Sequence, residues 1–160
     1  MENLNRWSKL INEKQNSKIK VVYNNSGSIL NSAVIYGNYL VTGDLSFYDS
    51  DSLEEAFYLS AILNSNILTN QVQIIKSSRH IFKLPLDIPI EKYNANDNEH
   101  CLLSELGKKG YLISENSYKR YIKKHEGQAT KIKIQYMLKQ KLKPIISQID
   151  EILTKKFQLR

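Results

Sequence analysis

Hydrophobic positions along this chain change their spacing three times, and each change predicts a different kind of element. Leu4, Trp7, Leu10 and Ile11 recur at helical intervals, which predicts a short amphipathic helix over residues 3–14. After Ser17 the pattern turns β-branched in Lys18-Ile19-Lys20-Val21-Val22-Tyr23, a strand signal, and Asn24-Asn25-Ser26-Gly27-Ser28 follows as a turn cluster. Ile29 to Ile35 and Tyr39 to Tyr48 predict two or three more short strands, broken at Gly37-Asn38 and Gly43-Asp44. A small, mostly antiparallel sheet accounts for this front section.

Polarity shifts again at Asp49-Ser50-Asp51-Ser52-Leu53-Glu54-Glu55. Ser52 with Glu55 three residues on makes a capping box, and the acidic cluster suits the positive end of a helix dipole. The helix it opens carries Ala56, Phe57, Leu59, Ala61, Ile62 and Leu63, apolar coverage wide enough for burial. Asn64-Ser65-Asn66 interrupts it and caps a second helix from Ile67 to about Ile75. This helix pair is expected to pack on the sheet.

Between that pair and the last third lies Lys76 to Ile90. Its first half gathers Lys76, Ser77, Ser78, Arg79, His80 and Lys83; its second half holds Pro85 and Pro89, which restrict it to an edge strand or an extended connector. Tyr93 to Asn98 is a polar break, dividing the chain into residues 1–92 and a helical part, 93–160. In that part Asp97 caps a short helix with Gly107 as its C′ residue, and Ser114 or Ser117 opens another run through Lys124. Residues 129–158 form a long helix with Pro144 inside it, marking a kink or a fresh start. Leu138, Leu142, Ile145, Ile149 and Ile152 give it a packing seam, directed within the chain or, as an alternative, into a dimer. The fold class is therefore α+β: a small antiparallel sheet on a helix pair, then a basic helical region.

Charge changes the picture more than bulk composition does. Net charge is +7, yet residues 108–160 hold 14 Lys and Arg against 4 Asp and Glu, whereas residues 1–107 hold 9 against 12. Such asymmetry points to a polyanionic partner, most often nucleic acid. No apolar run approaches the roughly 18 residues of a membrane span. The N-terminus lacks the zones of a signal peptide, and the single cysteine, Cys101, allows no internal disulfide, so a cytoplasmic location is expected.

Catalytic patterns are missing. Cys101, His80, His100 and His125 show no zinc spacing, and His125-Glu126 lacks a second histidine because position 129 is Ala. There is no phosphate-cradling glycine loop, no nucleophile elbow, and no Asp or Glu followed at the second position by Lys as in common nucleases. The sequence implies neither a catalytic residue nor a bound cofactor or metal in this chain.

Several stretches nevertheless share one order. Phe57-Tyr58-Leu59-Ser60-Ala61-Ile62-Leu63-Asn64-Ser65 resembles the helix after the first sheet in C-terminal target-recognition domains of N6-adenine DNA methyltransferases and fused restriction–modification enzymes, the TaqI-like group. Arg79 to Ile90 is similar to that family's basic, proline-punctuated segment, Asp97 to Gly107 to the helix that follows it, and Ile149-Asp150-Glu151-Ile152-Leu153 to its closing helix. Glu91 stands where the family often has proline, Phe157-Gln158 replaces a tyrosine–glycine pair, and the methylase signature is absent.

The resemblance covers most of residues 19–159 and implies the recognition half alone: a non-catalytic module reading double-stranded DNA for a methyltransferase catalytic domain that holds S-adenosylmethionine. Under it Lys76, Lys83, Lys108, Lys109, Lys119, Lys123 and Lys124 contact phosphates, within a basic segment that includes Ser77 and Ser78. Arg79 is the candidate for a bidentate guanine contact, with Asn24, Asn25 and His80 as further base-edge candidates. The alternative from another class is a docking subunit of a restriction–modification complex, and a third is a small nuclease.

Overall fold

A computed structural model describes residues 13–43, 45–75, 81, 85, 88–125 and 127–158. The amphipathic helix expected over residues 3–14 therefore falls almost wholly outside the described residues. A 3-10 turn at Glu13–Asn16 leads into β1 (Ile19–Asn24), which runs between β2 (Ser32–Tyr36) and β3 (Leu45–Asp49). Both pairings are antiparallel, with Val21 opposite Val34 on one side and Tyr48 on the other. β1 is central, and Val21, Val22 and Tyr23 are all buried. Lys20 is buried with them: its Nζ donates to the Ser17 carbonyl, and burial lowers its pKa against the pull of Asp49 on β3.

Residues 39–42 form no strand, although short strands are expected from Tyr39 to Tyr48. Gln15 explains this: its side chain takes both backbone groups of Val41, donating to Val41 O at 2.8 Å and accepting from Val41 N at 3.0 Å. Those are the groups a ladder would have used.

The helix pair is α1 (Leu53–Leu63) and α2 (Asn66–Ile75). Ser52 caps α1 by accepting from Glu55 N at 3.1 Å, while the Glu55 carboxylate accepts from Ser50 Oγ at 2.6 Å and Asp51 N at 3.3 Å. Asn64 then fastens α1 to the sheet edge, accepting from Ser32 N at 2.9 Å and donating to Ser32 O at 3.1 Å. Ser65 Oγ caps α2 through Leu68 N at 3.0 Å.

The remaining chain is a helical hairpin of α3 (Asn98–Lys124) and α4 (Lys131–Gln158). Asp97 caps α3 as expected, accepting from Glu99 N at 2.8 Å and His100 N at 3.1 Å. Gly107 does not end it. The helix continues through it, and a Cβ at 107 would lie 2.1 Å from the carbonyl oxygen of Phe57. That glycine is there for backbone contact between α1 and α3, not for a left-handed cap. Pro144 likewise lies inside an unbroken helix. Residues 88–90 are irregular, with Ile90 N bonded to Ile88 O at 2.7 Å, and so form a connector rather than a strand.

One core joins these parts. Val21, Tyr23 and Val34 from the sheet meet Phe57, Ile62 and Leu63 from α1, and Leu103, Leu106, Ile145, Ile149 and Leu153 from the hairpin complete it. The α4 seam is thus occupied within the chain along Ile145, Ile149 and Leu153. From α4, Asp150 reaches back 84 positions to cap α2, accepting from Asn66 N at 2.9 Å and Asn66 Nδ2 at 2.7 Å. Among the described residues no helix is long and apolar enough to cross a membrane.

Candidate nucleic-acid interface

The basic excess of the C-terminal third is concentrated in one part of the hairpin. Residues 108–143 carry 11 Lys and Arg against only Glu115 and Glu126. Burial changes over the same interval. The buried positions of α3 are His100, Leu103, Ser104 and Leu106, and those of α4 are Ile145, Ile149 and Leu153; no described residue between them is buried. Tyr111 and Ile113 still pack against the core, and beyond them the hairpin leaves the body as a two-helix arm, closed by its own seam of half-buried Ile122, Ile134, Met137 and Leu138. Gly110 sits at its root, where a Cβ would rest at 3.8 Å from both Leu142 and Ile145.

Helical phase arranges the cations. At 3.6 residues per turn, Lys108, Lys109, Lys119, Arg120, Lys123 and Lys124 fall within one arc of about 160°, extending about 24 Å along α3. All six are exposed. Glu115 borders the arc and pairs with Lys119 at 2.7 Å, an exposed contact of little energetic weight. Such a row suits a string of phosphates, which are about 3.4 Å apart along the helix axis within a strand. Five of the six were expected from sequence; Arg120 was not, although its phase between Lys109 and Lys124 was available to count.

The other expected residues separate. Lys76, Ser77, Ser78, Arg79, His80 and Lys83 lie outside the described residues. Asn24 and Asn25 are engaged inside the chain. The Asn24 carboxamide donates to Ser26 O at 2.6 Å and Ile29 O at 3.0 Å and accepts from Asn31 N at 2.7 Å, closing the turn between β1 and β2. Asn25 is buried; its Oδ1 accepts from Ser46 Oγ, and its carbonyl takes Ile81 N at 2.6 Å. These bonds make the pair builders of the turn.

A cluster that the motif order only marked sits where α3 begins. His100 is buried between α1, the 88–93 connector and the end of α4. Its Nδ1 accepts from Asn94 N at 3.1 Å, so the neutral ring carries its proton on Nε2, which donates to Glu91 at 3.2 Å. Lys156, at 2.9 Å from Nε2, is held by the same Glu91 carboxylate. Burial lowers the His100 pKa, and the Lys156 charge lowers it further. Tyr58 donates to Glu91 O at 3.0 Å, and burial pushes its phenol up to about 12. The ring of Tyr58 lies 4.7 Å from His100 and 5.5 Å from Tyr93. Each polar group here has a partner from another element. The cluster fastens the end of α4 to the base of α3, and that is sufficient reason for its composition.

No family model, curated protein or solved structure matches this chain.

Among the described residues, no group of His, Cys, Asp and Glu is placed to hold a metal ion. Cys101 Sγ donates to Ala95 O at 3.3 Å and lies 3.9 Å from the Tyr93 hydroxyl. What the surface offers is an extended row of cations along one helix, suited to a polyanion.

Proposed function

We propose that this chain is a non-catalytic module that binds double-stranded DNA, the target-recognition part of an N6-adenine DNA methyltransferase or restriction–modification enzyme. The observation that carries the DNA-binding part is the single exposed arc of Lys108, Lys109, Lys119, Arg120, Lys123 and Lys124 on an arm with no buried residue among those described. The assignment to adenine methylation rests on the order of the sequence motifs alone. In this reading the arm lies along the sugar–phosphate backbone, and the catalytic domain with its S-adenosylmethionine belongs to a partner or a separate domain.

Duplex binding measured across a salt series tests the first part. Lys119→Gln and Lys123→Gln should each lower the log–log salt slope by about 1. A chain that fails to bind duplex, or binds it with no salt dependence, refutes the reading. Sequence readout is tested separately: a duplex recovered from a random pool should be held on the order of 1,000-fold more tightly than bulk DNA. Equal affinity for all duplexes would leave a binder without target recognition.

One observation favours a second reading, docking to a protein subunit. Ile132 and Tyr136 on the outer side of α4 are 78% and 67% exposed, unusual for large apolar groups. Stable association with a methylase or restriction subunit in light scattering, by a chain inert toward DNA, would select it.

A further inference from the structure

The loop between β2 and β3 displays two adjacent large apolar side chains. Tyr39 is 60% exposed and Leu40 is 64% exposed, with Tyr36 at the end of the edge strand beside them at 54%. Ordinary loops do not hold such groups in fixed positions, but this one is braced at three points. Gly37 N donates to Lys18 O at 2.7 Å, Tyr39 N donates to Gly37 O at 3.0 Å, and Gln15 grips both backbone groups of the buried Val41. Gly37 supplies the sharp exit from β2 with φ of 124°, a conformation side-chain-bearing residues rarely adopt. With Val41 pulled inward, Tyr39 and Leu40 face outward.

The patch adjoins the arm. Tyr36 and Tyr111 of α3 have ring centroids 6.4 Å apart, and Tyr111 in turn sits 5.6 Å from buried Phe57. A hydrogen bond with Tyr36, with burial second, pushes the Tyr111 phenol up to about 12. An aromatic file thus runs from Phe57 in the core, through Tyr111 on α3, to Tyr36 at the end of β2. Lys108 lies three residues before Tyr111 and Lys119 eight after it on the same helix.

We infer that Tyr39 and Leu40, backed by Tyr36, form an apolar contact that enters a groove of the duplex or presses on a base step while the α3 cations hold the backbone. The inference rests on the DNA-binding reading above. It commits to duplex DNA because Lys108 and Lys119, the near edge of the arc, stand about 60° and 80° around α3 from Tyr111, with Glu115 between, and a protein partner would have to supply acids to match them. Aromatic and aliphatic groups gain by desolvating base and sugar surfaces, and braced side chains lose little freedom in doing so.

The test compares wild type with Tyr39→Ala/Leu40→Ala on a mixed-sequence duplex and on the duplex recovered from a random pool. Both side chains are largely exposed, so circular dichroism and the melting temperature should stay as in wild type, and Tyr39→Phe alone should retain most binding. Affinity for the recovered duplex should fall about tenfold or more, with the salt slope unchanged, because no phosphate contact has been removed. Lys119→Gln must show the converse, a reduced slope. Unaltered affinity of the double variant, with wild type binding DNA, overturns this inference alone and leaves the patch to a protein contact. A reduced slope in the double variant also overturns it, since that would place the loop on phosphates. Failure of wild type to bind any duplex removes the underlying reading along with it.

Discussion

Replacing Gly107 by alanine puts two opposing effects in one side chain. In a helix interior alanine is better than glycine by about 1 kcal/mol, so on propensity alone Gly107→Ala stabilises. Against this, the new Cβ would stand 2.1 Å from Phe57 O and 2.8 Å from Phe57 C, where ordinary contact begins at 3.4 Å. The obstacle is backbone and cannot rotate aside. α1 and α3 must part by about 1.3 Å, the difference between 3.4 and 2.1 Å, and a gap of that order forfeits a quarter to a half of the dispersion energy of the atoms that face it. Phe57, Leu103 and Leu106, all buried, surround the joint.

We expect a net loss of about 2–4 kcal/mol, beyond the usual overpacking range once the helices separate. Urea unfolding followed by circular dichroism reads it directly. With a slope of about 2 kcal/mol/M the midpoint should fall by about 1–2 M at unchanged slope. Gly110→Ala, three residues on, is the internal control: its Cβ meets Ile145 and Leu142 side chains at 3.8 Å, so only propensity and ordinary contact act. Its midpoint should rise by a few tenths of a molar, about 0.5–1 kcal/mol. A Gly107→Ala protein as stable as wild type, or both variants shifting the same way, would refute close backbone approach as the reason for the glycine.

Asp150→Ala removes one of the two caps of α2, leaving Ser65, and should cost about 1–2 kcal/mol in urea unfolding, with Asp150→Asn losing less because a carboxamide oxygen still accepts. Asn24→Ala should lower stability by about 1–2 kcal/mol through its lost turn bonds while the ranking of duplexes by affinity stays unchanged; altered sequence preference would restore it as a base reader. His100 predicts an acid sensitivity with a definite sign. Its folded pKa is lowered from 6.5, so the neutral ring's contribution is complete above pH 6.5 and is lost as pH falls through the folded value. Protonation requires Nδ1 to release Asn94 N and places a cation beside Lys156. Urea midpoints between about pH 7.5 and 5 should therefore decline more steeply in wild type than in His100→Phe; equal slopes would refute it.

How much the sequence disclosed depended on how local the cause was. The α1 cap was legible because Ser52 and Glu55 act within one turn, and the helix pair because its apolar spacing is local. Gly107 misled because a glycine four residues after a leucine run looks like a helix end, while its cause lies on another helix, at Phe57. Tyr39 to Val41 read as a strand because the residue types are strand formers, and nothing nearby announces that Gln15 will take their backbone. Asn24 and Asn25 looked like free carboxamides, yet a tight turn uses the same donors and acceptors that a base would. For the interface, charge asymmetry located the basic third, but only helix phase and burial separated the arm from its root. Motif order marked Asn64, Ser65, His100 and Asp150, each of which ties one element to another. Their spacing records an architecture, and the residues that would read a base carry no such constraint.

The arm also separates two things that usually vary together in a small protein. Its turn places Gly127 at φ of 72°, with open space where a Cβ would be, and nothing described between Leu106 and Ile145 is buried in the core. Whole turns can therefore be inserted or removed in matching pairs on either side of Gly127 without disturbing the sheet, the helix pair or the fastening of Lys156 to Glu91. Reach is set independently of fold: each added residue on both helices lengthens the arm by about 1.5 Å, and how far from the body the hairpin turns back alone decides how long a row of cations it presents.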